Sequence, residues 1–143
     1  MRISTRGRYG LRFMLVLAAE YEHGVISLRE VAERESMPEK YLEQIVSYFI
    51  KAGLVDSLRG VRGGYHLARH PVDITVGDIL RLTENVFPTA ACGREGVHCG
   101  HSESCVLIEI VEDIRGAVDR VMDRLTLEEL LGRFRQRSAS LAV

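Results

Sequence analysis

The chemistry-bearing side chains of this 143-residue chain gather in one stretch. Cys92, Cys99 and Cys105 have six and five residues between them, with His98 and His101 interspersed. A disulfide framework prefers an even cysteine count and an oxidising compartment, and neither is indicated here. Buried structural cysteines sit on apolar faces, whereas these three are separated by polar residues and by Gly93, Gly96 and Gly100. Thiolates are soft donors, and a loop can fold three of them around one inorganic centre. Zinc would take a fourth ligand from His98 or His101, although the paired Cys-x-x-Cys knuckles of many zinc sites are absent. An iron–sulfur cluster tolerates the same spacing, so spacing alone leaves the two level. No phosphate loop, triad spacing or paired-carboxylate pocket accompanies the cysteines, so an enzyme is not expected.

The rest of the chain must position such a centre. Hydrophobic residues make up 46% and charged residues 27%, which suits one packed domain with an appendage and excludes the disordered class. The net charge of −1 hides an asymmetry: residues 1–70 carry 11 Lys and Arg against 8 Asp and Glu, and residues 71–143 carry 8 against 12. Arg2, Arg6, Arg8 and Arg12 all precede the first acidic residue, Glu20. Such a start suits phosphate contact or an ordinary solvated helix face equally. The basic N-terminus runs into an amphipathic segment and lacks the apolar core of a signal peptide. No apolar run approaches the roughly 18 residues of a membrane span. The expected location is the cytoplasm.

Apolar spacing predicts a helix over residues 7–22, buried on more than one side, with one side available to another subunit. Ser27-x-x-Glu30 is a capping box that opens a second helix ending near Ser36. Pro38 suits the first turn of a third, which runs to about Lys51 with Gly53 as its stop. That third helix buries Leu42, Ile45, Val46 and Phe49, so Glu39, Lys40, Glu43, Gln44 and Ser47 fall outside. Two short helices joined by a tight turn, the second with a polar outer face, outline a helix-turn-helix. Residues 54–58 and 65–68 then read as strands flanking Arg59-Gly60-Val61-Arg62-Gly63-Gly64, a hairpin whose basic tip could enter a minor groove. Thr75-x-x-Asp78 opens a short fourth helix.

The expected organisation is therefore mainly α with a small β-hairpin wing. Residues 1–84 form a winged helix-turn-helix, 85–104 a cysteine-containing loop, 105–137 a long dimerisation helix with a C-terminal helix, and 138–143 a flexible tail. In the long helix Leu107, Val111, Ile114, Val118, Val121 and Leu125 alternate steps of four and three, the spacing of helices sharing a seam. Core packing within one subunit would use the same spacing. Ile110 and Ala117 form a second stripe. Thr126-x-x-Glu129 caps the last helix, with Leu130, Leu131 and Phe134 as its apolar side.

Taken together these residues resemble the IscR/NsrR family of bacterial winged-helix regulators, from Arg2 to about Phe134. The resemblance rests on Ser4-Thr5-Arg6-Gly7-Arg8-Tyr9, Tyr41-Leu42-Glu43-Gln44-Ile45, Arg59-Gly60-x-x-Gly63-Gly64-Tyr65 and the three-cysteine loop. It implies a homodimer through the long helix and a palindromic or near-palindromic double-stranded DNA operator. It further implies groove-facing roles for Tyr41, Glu43 and Gln44, a minor-groove role for Arg59, and phosphate contacts from Ser4 and Arg6. Lys40 and Arg62 join these on geometry alone. The resemblance makes Cys92, Cys99 and Cys105 ligands of an iron–sulfur cluster, with 2Fe–2S placed ahead of 4Fe–4S. It makes the regulator a sensor of cluster, redox or nitric oxide status, in which the cysteine loop sets the separation of two recognition helices.

The fourth ligand departs from the family pattern. IscR-like members place a histidine three residues after the last cysteine, where this chain has Ile108; NsrR-like members use an acidic residue where it has Arg8. His101, His98, Glu103 or a small ligand remain. The alternative is a cluster-free, zinc-bound or thiol-switch regulator of the same fold, acting through an enzyme partner as some cluster-free relatives do.

Overall fold

A computed structural model describes residues 3–84 and 105–141 of the chain. Helix α1 (Thr5–Ala19) starts two residues earlier than apolar spacing predicts, because the Ser4 hydroxyl caps it by accepting from the Gly7 N–H. It ends three residues earlier, at a turn in which Gly24 adopts φ +113°. Helix α2 (Leu28–Glu35) opens with the predicted capping box: the Ser27 hydroxyl accepts from the Glu30 N–H, and the Glu30 carboxylate accepts from the Ser27 N–H. Helix α3 (Glu39–Lys51) follows, with Pro38 at the N-cap position, one residue ahead of its expected place in the first turn. Gly53 reverses the chain at φ +67°.

Strands β1 (Val55–Leu58) and β2 (Gly64–Leu67) pair antiparallel with Val55 opposite Leu67 and Leu58 opposite Gly64. Tyr65 also pairs with Ile26, which fastens the hairpin to the turn between α1 and α2. Gly64 permits that approach, since a Cβ there would lie 2.5 Å from the Ile26 carbonyl oxygen. A 3-10 turn at Pro71–Asp73 leads to α4 (Val76–Thr83), whose predicted Thr75/Asp78 capping box is present. Helices α5 (Val106–Arg124) and α6 (Leu127–Leu141) complete the described residues.

The main core joins Phe13, Met14 and Leu17 of α1 with Val31 of α2 and with Leu42, Ile45 and Phe49 of α3. Val55, Ile74, Ile79 and Leu127 extend it into the hairpin, α4 and α6. Phe13 and Phe49 stack with centroids 6.2 Å apart. A smaller cluster of Val76, Leu80 and Met122 ties α4 to α5, and Arg81 adds ion pairs to Asp123 at 2.7 Å and Asp119 at 3.5 Å. Those carboxylates, Asp123 above all, raise the Arg81 pKa above its usual value.

Three expectations need correction. Helix α6 buries Leu127 and Leu131, not Phe134, which is exposed. Every residue from Gly132 to Ser140 is exposed, because α6 there runs past the core. The tail expected from residue 138 is helical through Leu141, a continuation of that same free end. The seam on α5 also divides. Leu107, Ile114 and Val121 are exposed, whereas Val118 and Leu125 pack on the α4 cluster within the chain. Each set is spaced in sevens and so forms its own row, and α4 covers one row while leaving the other open.

Candidate nucleic-acid interface

The outer face of α3 is built by exclusion. Leu42, Ile45, Val46 and Phe49 turn inward, and the 3.6-residue period then leaves Lys40, Glu43 and Gln44 exposed. Tyr41 is half-buried, its ring edge-on to Tyr9 of α1 at 5.7 Å. Tyr48 stands seven residues on and is exposed, and that spacing puts it on the same strip as Tyr41, although it is not among the candidates read from the sequence. Pairs of donor and acceptor groups on such a face suit base edges: Gln for adenine, Glu for cytosine N4.

The start of α1 lies against this strip. The Arg6 guanidinium sits over the Tyr48 ring at 5.8 Å, and its Nε donates to the Thr83 carbonyl at the end of α4. Arg8 is exposed, one nitrogen donating to the Thr5 hydroxyl at 3.3 Å. Arg12 is drawn away by an ion pair with Glu35 at 2.7 Å. Ser4, an expected phosphate contact, directs both its N–H and its hydroxyl at Glu84. Glu84 escaped the sequence reading because its partner lies 80 positions away.

The hairpin tip exposes Arg59 and Arg62. Gly60 supplies φ +120°, and the Gly63 N–H closes the turn on the Gly60 carbonyl at 2.9 Å. Glycine makes that positive φ inexpensive. Leu67 and Tyr65 of the hairpin pack into the same core as α1 and α3.

Of the cysteine group, Cys105 is half-buried at the N-cap of α5 and makes no capping hydrogen bond. Cys92 and Cys99, with His98, His101 and Glu103, lie outside the described residues. No group of three or more His, Cys, Asp or Glu suited to a metal occurs among the described residues. The donor set nonetheless fits an iron–sulfur cluster chemically, being three thiols with one poised at a helix start. No helix among the described residues is long and apolar enough to cross a membrane.

A helix-turn-helix followed by a basic-tipped two-stranded hairpin defines a winged-helix DNA-binding protein. The family described as Rrf2, iron-dependent transcriptional regulator, matches residues 3–133. The chain belongs to this family, and is a DNA-binding transcriptional regulator rather than an enzyme. It is 42% identical over 130 residues to the transcriptional regulator CymR of Bacillus subtilis, covering 91% of this chain and 89% of that protein. Its fold matches T. potens IscR with a TM-score of 0.76 at 36% identity, covering 93% of this chain and 88% of the other. It matches the structure of CymR, the global cysteine regulator of B. subtilis, with a TM-score of 0.73 at 38% identity, covering 93% and 98%.

Proposed function

We propose that this regulator works as a homodimer whose grip on a palindromic or near-palindromic operator depends on an iron–sulfur cluster held by Cys92, Cys99 and Cys105. The observation that carries the reading is the placement of Cys105. It starts α5, which is bound on one side to α4 of the DNA-binding unit and leaves Leu107, Ile114 and Val121 uncovered on the other. A group held there would sit at the start of a helix whose far end packs on α4 and whose open row a second copy would cover. Held by thiolates, an iron–sulfur cluster supplies a charge and a set of bonds sensitive to oxidants and to small ligands.

The chain's own residues do the rest. Gln44 and Glu43 read base edges, Tyr41 and Lys40 flank them, Arg59 and Arg62 take the minor groove, and Ser4 and Arg6 hold the start of α1 beside the phosphates. Two copies joined through α5 must present two α3 helices about 34 Å apart, or a multiple of that. A small change in subunit angle therefore alters affinity strongly.

Absorption and iron and sulfide content of oxygen-free protein test the cofactor. Operator affinity with and without the cluster tests the sensing, and equal affinities would remove it. The second reading is a cluster-free, zinc-bound or thiol-switch regulator acting through an enzyme partner. It draws on the 38% identity to the CymR structure of B. subtilis, against 36% for that of T. potens IscR. Metal-free protein that co-purifies with an enzyme would establish it in place of the first.

A further inference from the structure

The start of α1 is fastened to the end of α4 through one carboxylate. Glu84 accepts from the Ser4 N–H at 2.9 Å and from the Ser4 hydroxyl at 2.8 Å, while that hydroxyl accepts from the Gly7 N–H at 3.1 Å. Gly7 makes room for the carboxylate, because a Cβ there would collide with Glu84 Oε1. Thr83, fully buried, lends its carbonyl to Arg6 and its hydroxyl to the Ile79 carbonyl at 3.1 Å. Gly10 repeats the close approach a turn later, where a Cβ would lie 2.9 Å from Thr83 Cγ2.

A carboxylate beside a basic, DNA-facing helix start repels phosphate, so direct contact with DNA does not account for it. Its hydrogen bonds do: they hold the first turn of α1 in the pose that brings Arg6 over Tyr48 and Tyr9 against Tyr41 of α3. We infer that Glu84 is a positioning residue for DNA binding, acting through Ser4 to set the basic first turn of α1 in register with α3. Glu84 also stands where α4 gives way to the cysteine segment, eight positions before Cys92. On the cluster reading above, on which this second consequence rests, a change in that segment reaches α1 through the same carboxylate.

The test uses the full chain with Glu84→Ala and Glu84→Gln. The probe is a duplex of about 30 base pairs that the parent protein selects from a random pool, long enough for two half-sites a turn apart. Affinity is measured across a salt series, alongside thermal unfolding. Glu84→Ala is expected to weaken binding about tenfold through the loss of charge-assisted hydrogen bonds. Its salt slope should fall by about one, the signature of a lost phosphate contact. Glu84→Gln keeps an acceptor oxygen for Ser4 and should fall between alanine and parent.

Binding by Glu84→Ala as tight as the parent's, or tighter, overturns the inference. So does a loss that merely tracks the unfolded fraction with the salt slope unchanged, and so does a glutamine variant no better than alanine. Absorbance of the same samples separates the two readings. A parent without a cluster ends the cluster reading and the second consequence, while affinity and salt slope still decide the role of Glu84. A cluster-bearing Glu84→Ala that keeps the parent's ratio of loaded to cluster-free affinity ends the second consequence alone.

Discussion

Helices α3 and α5 carry comparable apolar stripes, yet α3 buries four of its 13 residues inside the chain and α5 buries only Met122 of its 19. The difference is cover. Around α3 stand α1, α2, α4 and the hairpin, so its apolar side closes a core and its polar side stays exposed. Around α5 the described residues supply α4 and part of α6, which satisfy Val118, Met122 and Leu125 and leave the row of Leu107, Ile114 and Val121 open. Periodicity announces that a helix has an apolar side; it does not announce which molecule provides the other half. The apolar side of α3 is closed by its own chain, whereas on the proposed function the open row of α5 is closed by a second copy.

The sharpest way to break this comparison is to remove one buried and one open apolar residue and measure different things. Phe49→Ala is expected to lower folding stability by about 3–5 kcal/mol in denaturant titrations, since it empties a filled site beside Phe13. Ile114→Ser should leave the helical circular dichroism of each subunit largely unchanged and shift sedimentation toward monomer. The association loss is about 2–4 kcal/mol, because the residue is lost from both copies. An Ile114→Ser protein that stays dimeric would mean that the open row is not the contact between copies.

Smaller effects sharpen the DNA side. Gln44→Ala should cost about 1–3 kcal/mol of discrimination at one base pair in each half-site, read by competition among single-base operator variants, with unfolding unchanged. Arg59→Ala should weaken binding most where the base pairs beside the half-site are A·T-rich and the minor groove narrow, read by comparing operators with A·T and G·C flanks. Arg81→Ala, at the joint between the two halves, should change stability by less than about 1 kcal/mol, as partly exposed ion pairs do. A larger loss there would make the joint stiffer than its exposure suggests.

Much of this was legible in advance because it depends on neighbours in the chain. The capping boxes at Ser27/Glu30 and Thr75/Asp78 join residues three apart, and both formed. The inward set of α3 follows from helical period alone, and so does its outward strip of Lys40, Glu43 and Gln44. The glycines of the hairpin tip marked a turn for the same local reason. Phe134 failed the same test, since its place on the apolar side of α6 says nothing about whether α6 still has a neighbour there.

The amino-acid order by itself determined the helices, the two capping boxes and the basic-tipped hairpin, since each arises from interactions within a few residues. Only the tertiary structure decided that Ser4 and Arg6 are held by Glu84 and Thr83, that Arg12 is taken by Glu35, and that one row of α5 is covered while another is not. Those outcomes depend on which surfaces long-range packing brings together, and spacing along a chain carries no record of that.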